Sequence, residues 1–370
     1  MLVKIREHKG YFFTGLLIVW FALSKAFAFK QTLELDVAQN TKFTTAIGDL
    51  ANSISGNRTK SPAFIYFFNP IRLFINNFVD VFRHLFSIPQ NGNSGPIIGW
   101  FGVVLIMGFA ALVTSRARVA ILVVTLLVGC GLLGMWPDTM DTISMTIAAV
   151  LLSLAIGIPM GIWAGLSDRV LKLVTPILDL AQILPTMVYL APLAIFFMIG
   201  EAAVATMIYS IPIAIRITSH AIRSLNFSPI EASISMGATE KQTLRKVQLP
   251  MAKQMIVLGI NQTVMAALSF VVIAALIAAP GLGKPVVYAL TIQNTGQGLV
   301  AGLAVVFLAI LLDRATSAAA TKQKSFIPPT EKQVRARRIT LGISGLVTLV
   351  GVFMSHSIKS LGNFPTTIDI

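Results

Sequence analysis

Residues 231–238, Glu-Ala-Ser-Ile-Ser-Met-Gly-Ala, lie in the longest polar interval in the second half of an otherwise apolar chain. Ser228 and Pro229 precede them, a pair typical of a helix start, with serine as the cap and proline at the first helical position. Gly237 can end or turn that helix because glycine adopts backbone conformations that other residues avoid. Pro250, in the sequence Val-Gln-Leu-Pro at 247–250, lies near the start of the next apolar run. The stretch therefore predicts a short helix–turn–helix.

The composition identifies a polytopic membrane protein. The chain has 370 residues, of which 55% are hydrophobic and 12% charged, about half the charged fraction of an ordinary soluble domain. Several apolar runs reach the roughly 20 residues that a membrane-spanning helix needs. The net charge of +14 sits mostly in short loops between these runs, which indicates membrane topology and not nucleic-acid binding.

Nine candidate spans lie near residues 11–29, 97–114, 119–136, 142–166, 176–199, 204–222, 254–278, 299–317 and 339–356. The helix–turn–helix carries several basic residues, which predict that it lies on the cytoplasmic side. This choice also places the N-terminus in the cytoplasm. Between the first two spans, residues 62–89 carry Phe74, Phe78, Phe82 and Phe86 at four-residue spacing, which predicts a helix lying in the outer membrane interface. Gly157, Gly161 and Gly165 form a stripe on which another helix can pack closely.

The sequence offers no catalytic or metal-binding constellation. Gly281-Leu282-Gly283-Lys284 is followed by proline and lacks the upstream glycine of a phosphate-binding loop. The four histidines are scattered, so no metal site is expected. We expect no catalytic residues and no cofactor on this chain; if it performs energised work, a partner binds the ATP.

The sequence Glu231-Ala232-Ser233, three residues, Gly237, nine residues, then Val247-x-Leu249-Pro250 resembles the "EAA" signature of permease subunits of bacterial ABC importers. Serine and valine replace the usual alanine and isoleucine. Further segments are similar to the quaternary-amine branch of that family, the glycine betaine, proline and choline permeases, among them 184–192, 259–263, 267–269, 272–274, 281–283 and 311–314.

This resemblance implies an all-α polytopic protein of about nine transmembrane helices with a type I ABC importer permease core. The core would span 138–320 with a cytoplasmic coupling loop at 226–253. Residues 1–137 would form N-terminal spans with the outer segment, and 321–370 a basic linker and a last span. The implied location is the bacterial inner membrane.

The resemblance also implies partners: cytoplasmic ATPase subunits that bind ATP and Mg, an extracytoplasmic substrate-binding protein, and a second permease subunit, expected to be an identical copy. Membrane lipid surrounds the assembly. The residues that would dock on the ATPase are Glu231, Ala232, Ser233, Gly237, Ala238, Val247, Leu249 and Pro250, with Glu231 placing charge at a helix N-terminus.

The transport path is less determined by the sequence. Its candidate residues are Pro185, Tyr189, Asn261, Gln262, Thr263, Ser269 and Phe270. Asn261, Gln262 and Thr263 could instead form hydrogen bonds between helices, and Pro185 could kink a helix for packing alone. Arg216 is expected to pair with Asp179.

Two alternatives stay open: a permease for another small solute such as an amino acid, and a secondary transporter that works alone. The latter predicts buried acidic residues and an internal repeat. The sequence shows no repeat, and Asp179 is the acidic residue expected inside a span. A non-transporting scaffold would leave the signature unexplained.

Overall fold

The computed structural model describes residues 2–27, 42–57, 60–89, 95–115, 117–185, 188, 201–277, 279–320 and 331–365. The part of the chain that it describes is helical and contains no strand. The α-helices are α1 Leu2–Phe27, α2 Lys42–Gly56, α3 Asn69–Phe86, α4 Trp100–Thr114, α5 Ala117–Leu132, α6 Trp136–Leu166, α7 Asp168–Ile183, α8 Glu201–Arg223, α9 Phe227–Ser235, α10 Glu240–Thr243, α11 Leu249–Ile273, α12 Gly283–Thr291, α13 Thr295–Ala320, α14 Glu331–Ser357 and α15 Lys359–Gly362.

The helices confirm the all-α polytopic fold. Four helical stretches are long and apolar enough to cross a membrane: Trp136–Leu166, Glu240–Ile277, Thr295–Ser317 and Arg337–Ser357. Shorter apolar helices occupy Thr14–Ala26, Trp100–Thr114 and Ala117–Leu132. The number of nine spans stays a prediction, since part of the fifth candidate span lies outside the described residues.

The chain forms two compact units, residues 1–57 with α1 and α2, and residues 58–370 with the other helices. The predicted boundary at 137/138 falls in the first turn of α6. The predicted division into three parts stays a prediction.

The phenylalanine-rich segment forms a five-residue π-helix, Phe64–Phe68, that leads into α3. Its rings share one face as predicted: the Phe74 and Phe78 centroids are 6.1 Å apart, and those of Phe78 and Phe82 are 5.3 Å apart. Phe78 and Phe82 pack against a buried cluster whose members include Met145 and Ala148 of α6. At the end of α3, Arg83 Nε donates to Asp141 Oδ1 of α6 over 3.1 Å. The helix is therefore docked on α6; its position in a membrane interface stays a prediction.

The glycine stripe of α6 packs against α8, as the spacing predicts. A Cβ atom placed on Gly157 would lie 2.5 Å from Ala214 Cβ, one on Gly161 would lie 2.6 Å from Thr218 Cβ, and one on Gly165 would lie 2.9 Å from Ile222 Cβ. Real Cβ atoms do not approach other atoms this closely, so only glycine fits. From one pair to the next, the residue numbers of α6 and α8 increase together, so the two helices run parallel.

Helix α8 lies between α6 and α11. A Cβ on Gly259 of α11 would lie 2.9 Å from Ile217 Cγ2, and further along α8, Ala221 and Ile222 cluster with Ala252. Here the residue numbers of α11 decrease as those of α8 increase, so the two helices are antiparallel. The three helices form the packed centre of the second unit.

The last long helix, α14, packs antiparallel on α4. Close approaches occur at Gly102 with Ser355 and at Gly351 with Leu105. The chain then folds back, and Phe364, 8% exposed, stacks on Trp136 with centroids 4.9 Å apart and contacts Trp100 at 5.1 Å. The C-terminal segment is thus tied to the start of α6.

Candidate functional site

The helix–turn–helix forms at residues 227–248, but its first cap differs from the prediction. Helix α9 begins at Phe227, and the side chain of Asn226 accepts a hydrogen bond from Ser228 N over 3.2 Å. Ser228 is therefore the second helical residue, not the cap, and Pro229 is the third. Asn226 takes the capping role because a cap needs an extended backbone and a short side-chain acceptor, and its ψ is 132°. Glu231 is consequently the fifth helical residue, beyond the first turn, where the helix dipole has largely decayed.

Gly237 ends α9 as predicted. Its φ of +82° lies in the left-handed region. The Gly237 N–H donates to Ile234 O over 2.8 Å, and the Ala238 N–H donates to Ser233 O over 3.1 Å. This pair of bonds is the Schellman motif, which satisfies the last carbonyls of a helix. The turn depends on the backbone conformation, since no heavy atom lies within 4 Å of a Cβ built at Gly237.

Side-chain hydrogen bonds fix the second short helix, α10. Thr239 caps it in a reciprocal pair: Gln242 N donates to Thr239 Oγ1 over 3.4 Å, and Thr239 N donates to Gln242 Oε1 over 2.9 Å. The hydroxyl oxygens of Ser233 and Thr243 lie 3.1 Å apart and join α9 to the second arm. Ser233, one of the two departures from the resembled signature, thus has a definite structural role.

The second arm joins α11 without a break. Residues Leu244–Gln248 form a π-helix in which Leu249 N–H donates to Leu244 O. Pro250 follows in the first turn of α11. Because α11 continues directly from the preceding turn, the proline ring and its missing N–H would disrupt an ordinary α-helical turn at this point. The wider turn removes that conflict, and the same combination precedes Pro70 at the start of α3. Glu240–Ile277 is therefore one continuous helical rod.

The outer surface of the motif is available to a partner. Glu231 and Ala232 are exposed, and so are the large apolar side chains of Phe227, Ile234 and Met236, the last at 86%. Exposed apolar groups beside basic residues such as Arg245 are typical of a protein docking surface. Toward the body of the protein, Val247 and Leu249 are half-buried, while Pro250 is exposed.

Arg223, which the sequence did not single out, holds the base of this motif. At the end of α8, its Nη1 lies 2.6 Å from Asp168 Oδ1, and its Nε and Nη2 donate to Ala164 O over 3.2 and 3.0 Å. The guanidinium therefore caps the C-terminus of α6 and reaches the start of α7. The position of this arginine at the end of a predicted span could have indicated a structural role. Its partners could not be identified from the sequence, because they lie about 60 positions earlier in the chain.

The predicted path residues divide into two groups. Gln262 and Ser269 are exposed on α11, along the same face as Met255 and Leu258. Thr263 is buried and donates to Gly259 O within its own helix, and Phe270 is buried against Tyr209, with centroids 5.6 Å apart. Pro185 is exposed beyond the end of α7, and Tyr189 lies outside the described residues.

Asn261, 4% exposed, connects α11 to α13. Its Nδ2 donates to Ser317 Oγ over 3.0 Å, and its Oδ1 accepts from Thr316 Oγ1. Ser317 Oγ also donates to Asp313 Oδ1 over 3.0 Å. Asn261 therefore acts in helix packing, the reading that the sequence had left open beside channel lining.

Asp313 corrects a second expectation. It lies in the candidate span Thr295–Ser317, so Asp179 is not the sole acidic residue inside a span. Asp179 itself pairs with Arg216, as predicted. Within the described ranges, no three His, Cys, Asp or Glu side chains are grouped to hold a metal ion.

Comparison with known proteins gives one family match and several relatives. Residues 157–322 match the family described as "Binding-protein-dependent transport system inner membrane component". The glycine betaine transport system permease protein of Bacillus subtilis is 46% identical over 195 residues, covering 52% of this chain and 69% of that protein. The glycine betaine/carnitine transport permease protein of Listeria monocytogenes is 39% identical over 264 residues, covering 70% of this chain and 91% of that protein. Among solved structures, an inward-facing methionine ABC transporter matches 50% of this chain and 94% of its own at 22% identity and a TM-score of 0.48.

Proposed function

Since the chain belongs to the family of inner-membrane components of binding-protein-dependent transport systems, we propose that it is a permease subunit for an osmoprotectant: glycine betaine, a related quaternary amine or proline. The observation that carries the substrate class is the 39% identity to the Listeria permease over nine-tenths of that protein, which is named for glycine betaine and carnitine. The permease does not itself catalyse ATP hydrolysis. ATP and Mg bind to separate ATPase subunits.

We propose that α9 and α10 form the coupling loop that docks on the ATPase. The exposed side chains of Phe227, Ile234 and Met236 supply apolar contact area, and the exposed Glu231 and Ala232 lie on the same short helix. Because the second arm continues into α11 without a break, a displacement of the loop would move the whole helix. This rod is the element through which ATPase closure would bias two permease conformations.

The open face of α11 is our candidate for the transport path. Gln262 and Ser269 are the path residues exposed on it, whereas Asn261, Thr263 and Phe270 are engaged in packing. A second copy of the chain, placed against this face, would enclose a path between two identical helices. Pro185 and Tyr189 stay candidates.

We propose that the N-terminus and the coupling loop lie in the cytoplasm, where the ATPases are. A substrate-binding protein would then deliver solute to the opposite face, which carries the first turn of α6 and the docked Phe364.

The decisive experiment is ATP-dependent uptake of radiolabelled glycine betaine into proteoliposomes that contain this chain, its ATPase and its binding protein. Gly237→Asp and Glu231→Lys variants run in parallel, with membrane insertion measured for each. We expect uptake by the native protein and loss of uptake in the variants at unchanged insertion. Binding-protein-stimulated ATP hydrolysis without betaine uptake would move the substrate to another class, such as amino acids, and transport without any ATPase would overturn the proposal.

A further inference from the structure

One face of α14 combines apolar and arginine side chains in a single stripe. Ile343, Leu346, Leu349 and Phe353 are exposed at helical spacing, Leu349 at 75%. Because Arg337–Ser357 is long and apolar enough to cross a membrane, this exposed row suits contact with lipid chains. Toward the start of the helix, the row continues through the exposed Ile339 to Arg335 at four-residue spacing, and the exposed Arg338 lies three residues from Arg335. These two guanidinium groups therefore lie where the lipid-facing surface passes from acyl chains to headgroups.

The ends of the neighbouring helices α4 and α5 place a third exposed arginine, Arg118, at the same membrane depth as Arg335 and Arg338. Arg337 Nη2 donates to Val113 O in the last turn of α4 over 3.4 Å, which fixes the start of α14 beside the end of α4. Helix α5 begins three residues after α4 ends, and its first turn carries the exposed Arg118. We call Arg118, Arg335 and Arg338 the arginine patch.

The arginine patch lacks ion-pair partners within the part of the chain that the structure describes. None of its three members forms an ion pair there, whereas Arg83, Arg216 and Arg223 each pair with an aspartate. A bound anion would relieve the repulsion between Arg335 and Arg338, which lie three residues apart on one side of the helix.

We propose that the arginine patch binds the phosphate of an anionic phospholipid headgroup, with the acyl chains lying along the apolar stripe of α14. Guanidinium groups donate paired hydrogen bonds in a geometry that matches phosphate oxygens. Basic residues immediately beside a membrane-spanning helix typically attract anionic lipid. The continuity of the arginines with the lipid-facing stripe favours a lipid over a protein segment as the occupant.

The test compares lipid retention by the purified full-length chain. Native mass spectrometry in a mild detergent, with phosphatidylglycerol and phosphatidylcholine titrated separately, gives an apparent affinity for each lipid. The Arg335→Gln/Arg338→Gln double variant should lose about 25-fold in affinity for phosphatidylglycerol, from about fivefold per arginine, with phosphatidylcholine unchanged. The Arg335→Lys/Arg338→Lys variant, which keeps the charges without the planar fork, should fall between the two.

The matched control is the Arg169→Gln/Lys172→Gln double variant. It removes two exposed basic residues with the same i, i+3 spacing near the start of α7 and should retain phosphatidylglycerol like the native chain. Equal losses of phosphatidylglycerol affinity in both double variants would show that general surface charge causes the effect, and would overturn the proposal. Unchanged lipid binding combined with weaker association of the ATPase would assign the patch to a protein partner instead. Melting temperatures of all variants separate lost binding from lost folding.

Discussion

The hydroxyl oxygens of Ser153 and Ser210 lie 2.7 Å apart in the buried contact between α6 and α8. The pairs Gly157–Ala214, Gly161–Thr218 and Gly165–Ile222 follow with the same offset of 57 residues, every four residues along both helices. The serine pair and the glycine stripe thus belong to one register. Such close packing leaves no room for an added side-chain atom.

The α6–α8 register predicts that Gly161→Ala destabilises the protein. Its Cβ would meet Thr218 Cβ at 2.6 Å and Ile215 O at 2.9 Å, so the two backbones must separate. We expect a loss of about 1–3 kcal/mol in the free energy of unfolding, measured by thermal denaturation in detergent. Gly342→Ala is the control, because nothing lies within 4 Å of a Cβ at that glycine of α14. Equal melting temperatures for the two variants would contradict the register.

The left-handed conformation of Gly237 predicts a rank order of substitutions. Asparagine tolerates positive φ better than alanine, and valine tolerates it least, with a cost of about 1–2 kcal/mol for an ordinary L-residue. We expect ATP hydrolysis coupled to the binding protein to fall in the order Gly, Asn, Ala, Val. If the alanine variant were instead more active than the asparagine variant, as side-chain size alone predicts, steric contact with the ATPase and not the backbone turn would explain the requirement for glycine at 237.

The Ser233–Thr243 hydrogen bond predicts an energetic coupling between the two arms of the helix–turn–helix. A double-mutant cycle with Ser233→Ala and Thr243→Val should give an interaction free energy of about 0.5–1.5 kcal/mol. Thermal unfolding and protease resistance of the loop are suitable measurements. Strictly additive effects would show that the 3.1 Å contact contributes nothing to the shape of the motif.

Asn261 and Gln262 are adjacent in sequence, but we expect their substitutions to have opposite effects on stability and transport. Asn261→Leu removes the partner of Thr316 and Ser317 and should lower stability by about 1 kcal/mol. Gln262→Leu, on the open face of α11, should leave the melting temperature unchanged and alter the rate of substrate uptake. The reverse pattern would exchange their roles in packing and transport.

Local chemistry made part of this structure predictable. The glycine spacing in α6 predicted a close helix contact because the signal is contained in one helix. The turn at Gly237 was predictable for the same reason. The partner helix α8 was not, since four-residue spacing does not say which small residues lie opposite.

The missed features involve choices between neighbours or distant partners. Asn226 and Ser228 are both good capping residues, and the backbone conformation at 226 decided between them. Arg223 with Ala164, and Asn261 with Thr316, join residues more than 50 positions apart. For Asn261 the sequence left packing and channel lining equally open, and the fold assigned it to packing.

The return of Phe364 to Trp100 and Trp136 gives the protein an internal optical reporter. Those two rings lie 6.5 Å apart at 88° to each other and account for half of the four tryptophans in the chain. Near-ultraviolet circular dichroism of the native protein should therefore be weighted toward this aromatic cluster, because a signal of that kind depends on rigid, closely spaced chromophores. Detachment of the C-terminal segment can be followed spectroscopically, without an attached label, under the lipid and partner conditions in which the transporter works.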